Sequence, residues 1–126
     1  MRLPIAFDPL EVGEVDFFAY NFAADMGNAS MVSTAWTATF LPHQVATDPN
    51  PQAIILSTSV ATSIDVRSPV DNSIVTLNGF FSIAKIGNMP ASAQSGVYVL
   101  DAALTLSDGR ILKLNSTCTC KAPGQP

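Results

Sequence analysis

Hydrophobic and polar residues alternate along much of this chain with a period of two. From 97 to 106, one set of positions carries Tyr98, Leu100, Ala102, Leu104 and Leu106. Beyond Ser107-Asp108-Gly109-Arg110, Leu112, Leu114, Ser116, Cys118 and Cys120 share a face opposite Lys113, Asn115, Thr117 and Thr119. Successive side chains of a strand point to opposite faces, so both runs predict half-buried strands. Asp-Gly between two such runs predicts a hairpin with a type I′ turn, which needs positive φ at both central residues. Residues 31–40 repeat the pattern, with Val32, Thr34, Trp36, Ala38 and Phe40 on one side. Further strands are predicted over 12–20, 53–60, 62–67 and 73–83. Pro, Gly and Asn separate them at Leu41-Pro42, Asp48-Pro49-Asn50-Pro51, Ser68-Pro69 and Gly87-Asn88-Met89-Pro90. No long segment repeats every 3.6 residues, so helices are not expected.

About seven short strands with loops between them predict a single all-β domain, an antiparallel sandwich of immunoglobulin type spanning 1–120. A polar tail, 121–126, follows. A small OB-type or jelly-roll barrel is the alternative architecture. Trp36, Tyr98, Leu100, Leu104, Leu112 and Leu114 are the expected core. The Cys…Trp…Cys spacing of antibody domains is missing, so the likeness is one of architecture.

Composition turns attention from a free domain to an assembly. The chain has 126 residues, enough for one domain. Charged residues are 13% of it and hydrophobic ones 48%, against roughly 25% charged in ordinary domains. Mean hydropathy is +0.30. Disorder requires the opposite balance. Several strands are apolar on both faces: Phe17 opposes Phe18, Phe80 opposes Phe81, and Val97 and Val99 oppose Tyr98 and Leu100. A two-layer sandwich buries one face per sheet, so the second face calls for a cover, and neighbouring protein chains are the simplest one. Phe18 and Phe80 are taken as contact residues, and a homo-oligomer or a lattice-bound subunit is expected.

The net charge of −4 and a pI near 4.5 speak against nucleic acid, which wants clustered Lys and Arg. Residues 1–30 hold Asp8, Glu11, Glu14, Asp16 and Asp25 against Arg2 alone. That acidic end is either a solvated strand or a docking strip for a basic surface, with Asp8, Glu11 and Glu14 its contacts. The long loop 41–53, with His43, is the other candidate contact region.

Chemistry leaves few traces. His43 is the single histidine, with no Gly-x-Ser-x-Gly elbow to pair it with a nucleophile. The acids at 8, 11, 14 and 16 miss the ligand spacing of a calcium loop. Cys118 and Cys120 are too few for a zinc site and, as i and i+2 in a strand, too far apart for a relaxed disulfide. They read as small buried hydrophobes. No catalytic residue, metal or cofactor is expected. After Arg2 the apolar run is stopped by Asp8 and Pro9, too early for a secretory signal, and nothing approaches the ~20 apolar residues of a membrane span. Synthesis in a reducing cytoplasm and no membrane association are the expectations.

Short motifs add a resemblance. Phe7-Asp8-Pro9-Leu10-Glu11, then Asp16-Phe17-Phe18 and Tyr20-Asn21-Phe22, are similar to the "DPxE…Y…DW/DF" opening of small phage proteins. Ser33-Thr34-Ala35-Trp36-Thr37 looks like the "SxxWT" strand of that group. Gly96-Val97-Tyr98 and Leu106-Ser107-Asp108-Gly109-Arg110 resemble its "GxxY…TxDGR" closing hairpin. The group comprises immunoglobulin-like virion structural proteins of tailed bacteriophages. The middle third of the chain departs from the pattern, and Phe17-Phe18 stands where the group has a single Trp or Phe. The resemblance implies a non-enzymatic structural component of the virion, made in the host cytoplasm and bound to capsid or neck and tail subunits. A capsid decoration or cement protein is the leading expectation, with a neck, tail or fibre-base protein as the alternative. A non-viral β-sandwich module for a peptide or glycan is the second alternative.

Overall fold

The fold comes from a computed structural model and is described for residues 9–68 and 70–122. Seven strands form it: β1 (Leu10–Glu11), β2 (Val15–Asn21), β3 (Met31–Phe40), β4 (Ile55–Arg67), β5 (Ile74–Gly87), β6 (Val97–Leu106) and β7 (Ile111–Lys121). They make two sheets, ordered β1-β7-β6-β3 and β2-β5-β4. The protein is an immunoglobulin-like β-sandwich, with β2-β5-β4 and β7-β6-β3 as its two facing triplets. The pairing is antiparallel except that β1 joins β7 in parallel, Leu10 beside Cys120.

The strict alternation of β6 and β7 has the expected result. Tyr98, Leu100, Ala102 and Leu104 are fully buried, as are Cys118 and Cys120. Leu112 and Leu114 are half-buried and pack against the core, and Trp36 is 4% exposed. Two polar contacts cross between the sheets inside this apolar layer. Tyr20 Oη on β2 donates to the Leu100 carbonyl on β6 at 2.7 Å. Trp36 Nε1 on β3 donates to Ser82 Oγ on β5 at 2.8 Å. The Tyr20 and Trp36 rings stack 5.1 Å apart. Among the described residues, every buried side-chain nitrogen or oxygen has a hydrogen-bond partner, so these polar groups carry no desolvation penalty.

The structure departs from the sequence pattern at the bulges. Residues 53–60 and 62–67 are not two strands; 55–67 form one, β4, with register shifts at Ile55/Ser57 and Ala61/Ser63. In β3 the shift at Met31/Ser33 turns Val32 out to 60% exposure and turns Met31 inward instead. A bulge inserts one residue and inverts the alternation beyond it, which a period-two reading takes for a strand end. The β6–β7 turn also differs from type I′. Only Gly109 has positive φ, at +89°. The Leu106 carbonyl accepts from Gly109 N, and Leu106 N donates to the Arg110 carbonyl. This is a three-residue loop closed by a glycine bulge.

Candidate functional site

The two poles of the sandwich differ. One gathers the loop 41–53, the 88–96 connection and the chain's entry at β1. The opposite one carries the β6–β7 turn and the far half of the β4–β5 hairpin.

The loop 41–53 is built on its own side chains. His43 is exposed, and its Nδ1 accepts from Val45 N at 3.1 Å and Ala46 N at 2.8 Å. Asp48 Oδ1 accepts from Asn50 N, and its Oδ2 accepts from Tyr98 Oη. Burial raises the Tyr98 hydroxyl well above the ordinary phenol value, and the Asp48 carboxylate adds to the effect. Thr47 N donates to the Ser92 carbonyl, and Ser92 Oγ returns a bond to the Thr47 carbonyl. A solvent-open cleft of about 520 Å³ lies under the loop, lined by Phe40, Pro42, His43, Asp48 and Pro51 among others. Its imidazole nitrogen and its carboxylate both serve the loop's own turns, so they supply a fixed shape rather than a base–nucleophile pair.

The acidic strip resolves into local bonds. Asp8 lies outside the described residues. Glu11 stands beside Lys121 in the β1–β7 register. Glu14 Oε1 accepts from Glu11 N at 2.9 Å across a turn in which Gly13 has φ +79°. Asp16 Oδ1 accepts from Phe17 N at 2.7 Å.

Exposed apolar surface concentrates on β2-β5-β4 and its hairpin. Val15, Phe17, Leu56, Val66, Val70, Ile74, Val75 and Leu77 make eight of the twelve exposed large hydrophobic residues. The expected contacts need correcting. Phe18 is 8% exposed and belongs to the core, whereas Phe17 is 64% exposed. Phe80 is half-buried against the core, and Phe81 is buried at 3%. Asp16 pairs with Ile86, and the odd-numbered Phe17 and Ala19 pair with Lys85 and Ile83 on the outward face of the sheet. A groove of about 480 Å³ joins this face to the hairpin, since Phe17, Ala19, Ile83, Ile64 and Val66 line it together. At Ala61/Ser63 the extra residue lies on β5, and this bulge bends the β4–β5 ribbon where Ser59 and Ile64 of β4 border one groove.

By contrast, the outward face of the other sheet is small and polar where Ala35, Thr37, Asp101, Ala103 and Lys113 meet. The sequence reads Arg110 as a flank of the β6–β7 hairpin rather than a ligand, without foretelling its contacts. Its Nε pairs with Asp108 Oδ2 at 2.8 Å, and its other nitrogens donate to the carbonyls of Asp25 and Met26. The Arg110 backbone N–H and guanidinium hold the Asp108 carboxyl below the usual carboxylate range. Arginine directly after the Asp-Gly turn was the available signal. It is a clamp between the β6–β7 turn and the 3-10 turn Ala23–Asp25.

Among the described residues, no group of three or more His, Cys, Asp or Glu side chains is placed to hold a metal ion, and no helix is long and apolar enough to cross a membrane. Comparison with protein-family models, with curated proteins and with solved structures returned no match.

Proposed function

We propose that the protein is a structural component of a bacteriophage particle, a capsid decoration or cement subunit that packs against neighbouring virion proteins. The observation that carries this reading is the exposed apolar residues on the outward side of β2-β5-β4, with Phe17 on the edge strand β2 64% exposed. Exposed patches of this kind mark protein interfaces on otherwise soluble domains. The order of the motifs at 7–11, 33–37 and 106–110 supports the phage context. The low charged fraction of 13% suits a subunit whose surface is largely covered in its assembly.

Quantitative mass spectrometry of purified particles, normalised to the major shell subunit, tests the reading. Abundance comparable to the shell supports decoration. A trace but reproducible amount moves the protein to the neck or tail. Absence from particles overturns the virion assignment.

A further inference from the structure

We propose that two copies of this chain join through the outer edge of β5, residues 74–79, to form a continuous β4-β5-β5-β4 sheet around a twofold axis at Thr76. The inference stands on the hairpin alone and does not depend on the particle assignment.

The first observation is a strand position left vacant. β5 is 14 residues long, yet β2 lies beside only its 81–87 half. Asn21 ends that pairing, its Oδ1 accepting from Phe80 N at 3.1 Å. From Gly79 to Ile74, β5 pairs with β4 alone among the described residues. A two-stranded ribbon of this kind is marginally stable in water.

The second observation is that no strand or side chain among the described residues guards this edge. Residues 72–84 contain neither a charge nor a proline, although natural proteins blunt open edges with one or the other. The same chain does protect the uncharged edge strand β3 of the other sheet. At β3, Gln52 Nε2 donates to the Trp36 carbonyl at 2.9 Å and Gln52 Oε1 accepts from Ala38 N at 3.0 Å. An uncovered β5 edge beside a guarded β3 edge points to a partner strand at β5.

The third observation selects a second copy. Ile64 pairs with Leu77 and Val66 with Val75 on one face of the hairpin, while Asp65 and Thr76 pair on the other. Antiparallel pairing about Thr76 sets Val75 against Leu77 of the second copy and Thr76 against its own counterpart. Valine meets leucine, threonine meets threonine, Ile74 meets Asn78, and no like charges oppose, which is compatible with a twofold interface. Val66, Val75 and Leu77 share one face of the hairpin and are exposed, so an added antiparallel strand continues their apolar stripe into the second copy.

The test is light scattering and sedimentation velocity on the full chain at micromolar to millimolar concentration. The expected mass is that of a dimer. Leu77→Asp, at a site 42% exposed, is expected to give a monomer with unchanged circular dichroism. Thr76→Cys is expected to form an intermolecular disulfide on mild oxidation, because facing residues in an antiparallel pair have Cα atoms about 4.5–5.5 Å apart. Thr117→Cys, on the outward face of the other sheet, should not. A monomer at every concentration, a dimer indifferent to Leu77→Asp, or a Thr76→Cys protein that does not cross-link would each overturn the proposal. A dimer in solution with no protein in particles would remove the virion reading and leave this one standing.

Discussion

Tyr20 Oη reaches the Leu100 carbonyl across strands β2 and β6, the two strands that a disulfide links in antibody domains. Trp36 stacks on Tyr20 much as the strand-C tryptophan packs on that disulfide. A chain without the Cys…Trp…Cys spacing thus ties its sheets with a phenol. Tyr20→Phe should lower stability by about 1 kcal/mol through the lost inter-sheet bond, read as a lower urea midpoint with an unchanged far-ultraviolet spectrum. Burial pushes the Tyr20 hydroxyl up to about 12 from 10.0. Its folded value lies above its unfolded one, so its contribution is full below pH 10 and is lost as pH rises toward 12. Tyr20→Phe should flatten the stability profile in that window, as followed by alkaline titration of urea midpoints. The core positions of β6 and β7 were legible in the sequence because nothing interrupts their alternation. Phe17 and Phe18 were not told apart as contacts. Both faces of β2 are apolar, and only the position of the second sheet decides which phenylalanine is covered.

Elements show where local pattern stops being informative. β3 and β6 have the boundaries their sequences predict, since proline, glycine and asparagine end the runs on either side. β1 could not be foreseen: two residues are too few for a period, and a parallel partner 110 positions away stabilises them. β4 looked like two strands, yet it runs on through the register shift that the extra residue of β5 makes at Ala61/Ser63. The guard on β3 was equally hidden, since Gln52 lies in the 3-10 turn Pro51–Ile54 and acts only through tertiary contact. Gln52→Ala should cost about 1–2 kcal/mol for two lost bonds on an edge strand. Faster amide exchange at Ala38 and a greater tendency to aggregate on heating would report it. Arg110→Ala should release residues 23–27 from the β6–β7 turn, with hydrogen exchange rising there while β6 stays protected.

For the whole molecule, the two sheets have unlike outer faces, and this asymmetry separates folding from assembly. Phe18→Asp places a charge in the core and should unfold the domain. Phe17→Asp should leave the melting temperature within a few degrees of the parent. If the outward face is the assembly surface, Phe17→Asp should still reduce incorporation into particles by at least tenfold, measured by mass spectrometry against the shell subunit. Full incorporation of a folded Phe17→Asp protein would place the contact elsewhere. Composition pointed to a covered surface because so low a charged fraction cannot clothe a free small domain. Which large apolar residues lie exposed together depended on the bend of the hairpin, a feature of packing that no local pattern encodes.

The parallel pairing of β1 with β7 also determines how the domain bears a pull along its chain. The polypeptide enters β1 at Leu10 and leaves β7 after Lys121, and the two strands run in the same direction. Tension between these flanks therefore acts along the strands. The bonds of the Leu10–Cys120 and Glu11–Lys121 steps, together with Val12 N to the Lys121 carbonyl, share the load and must fail together. A hairpin opened from its ends gives way one bond at a time. Two residue pairs set in shear make a short mechanical latch between β1 and β7. Single-molecule extension should register its release as a separate event before the sandwich unravels.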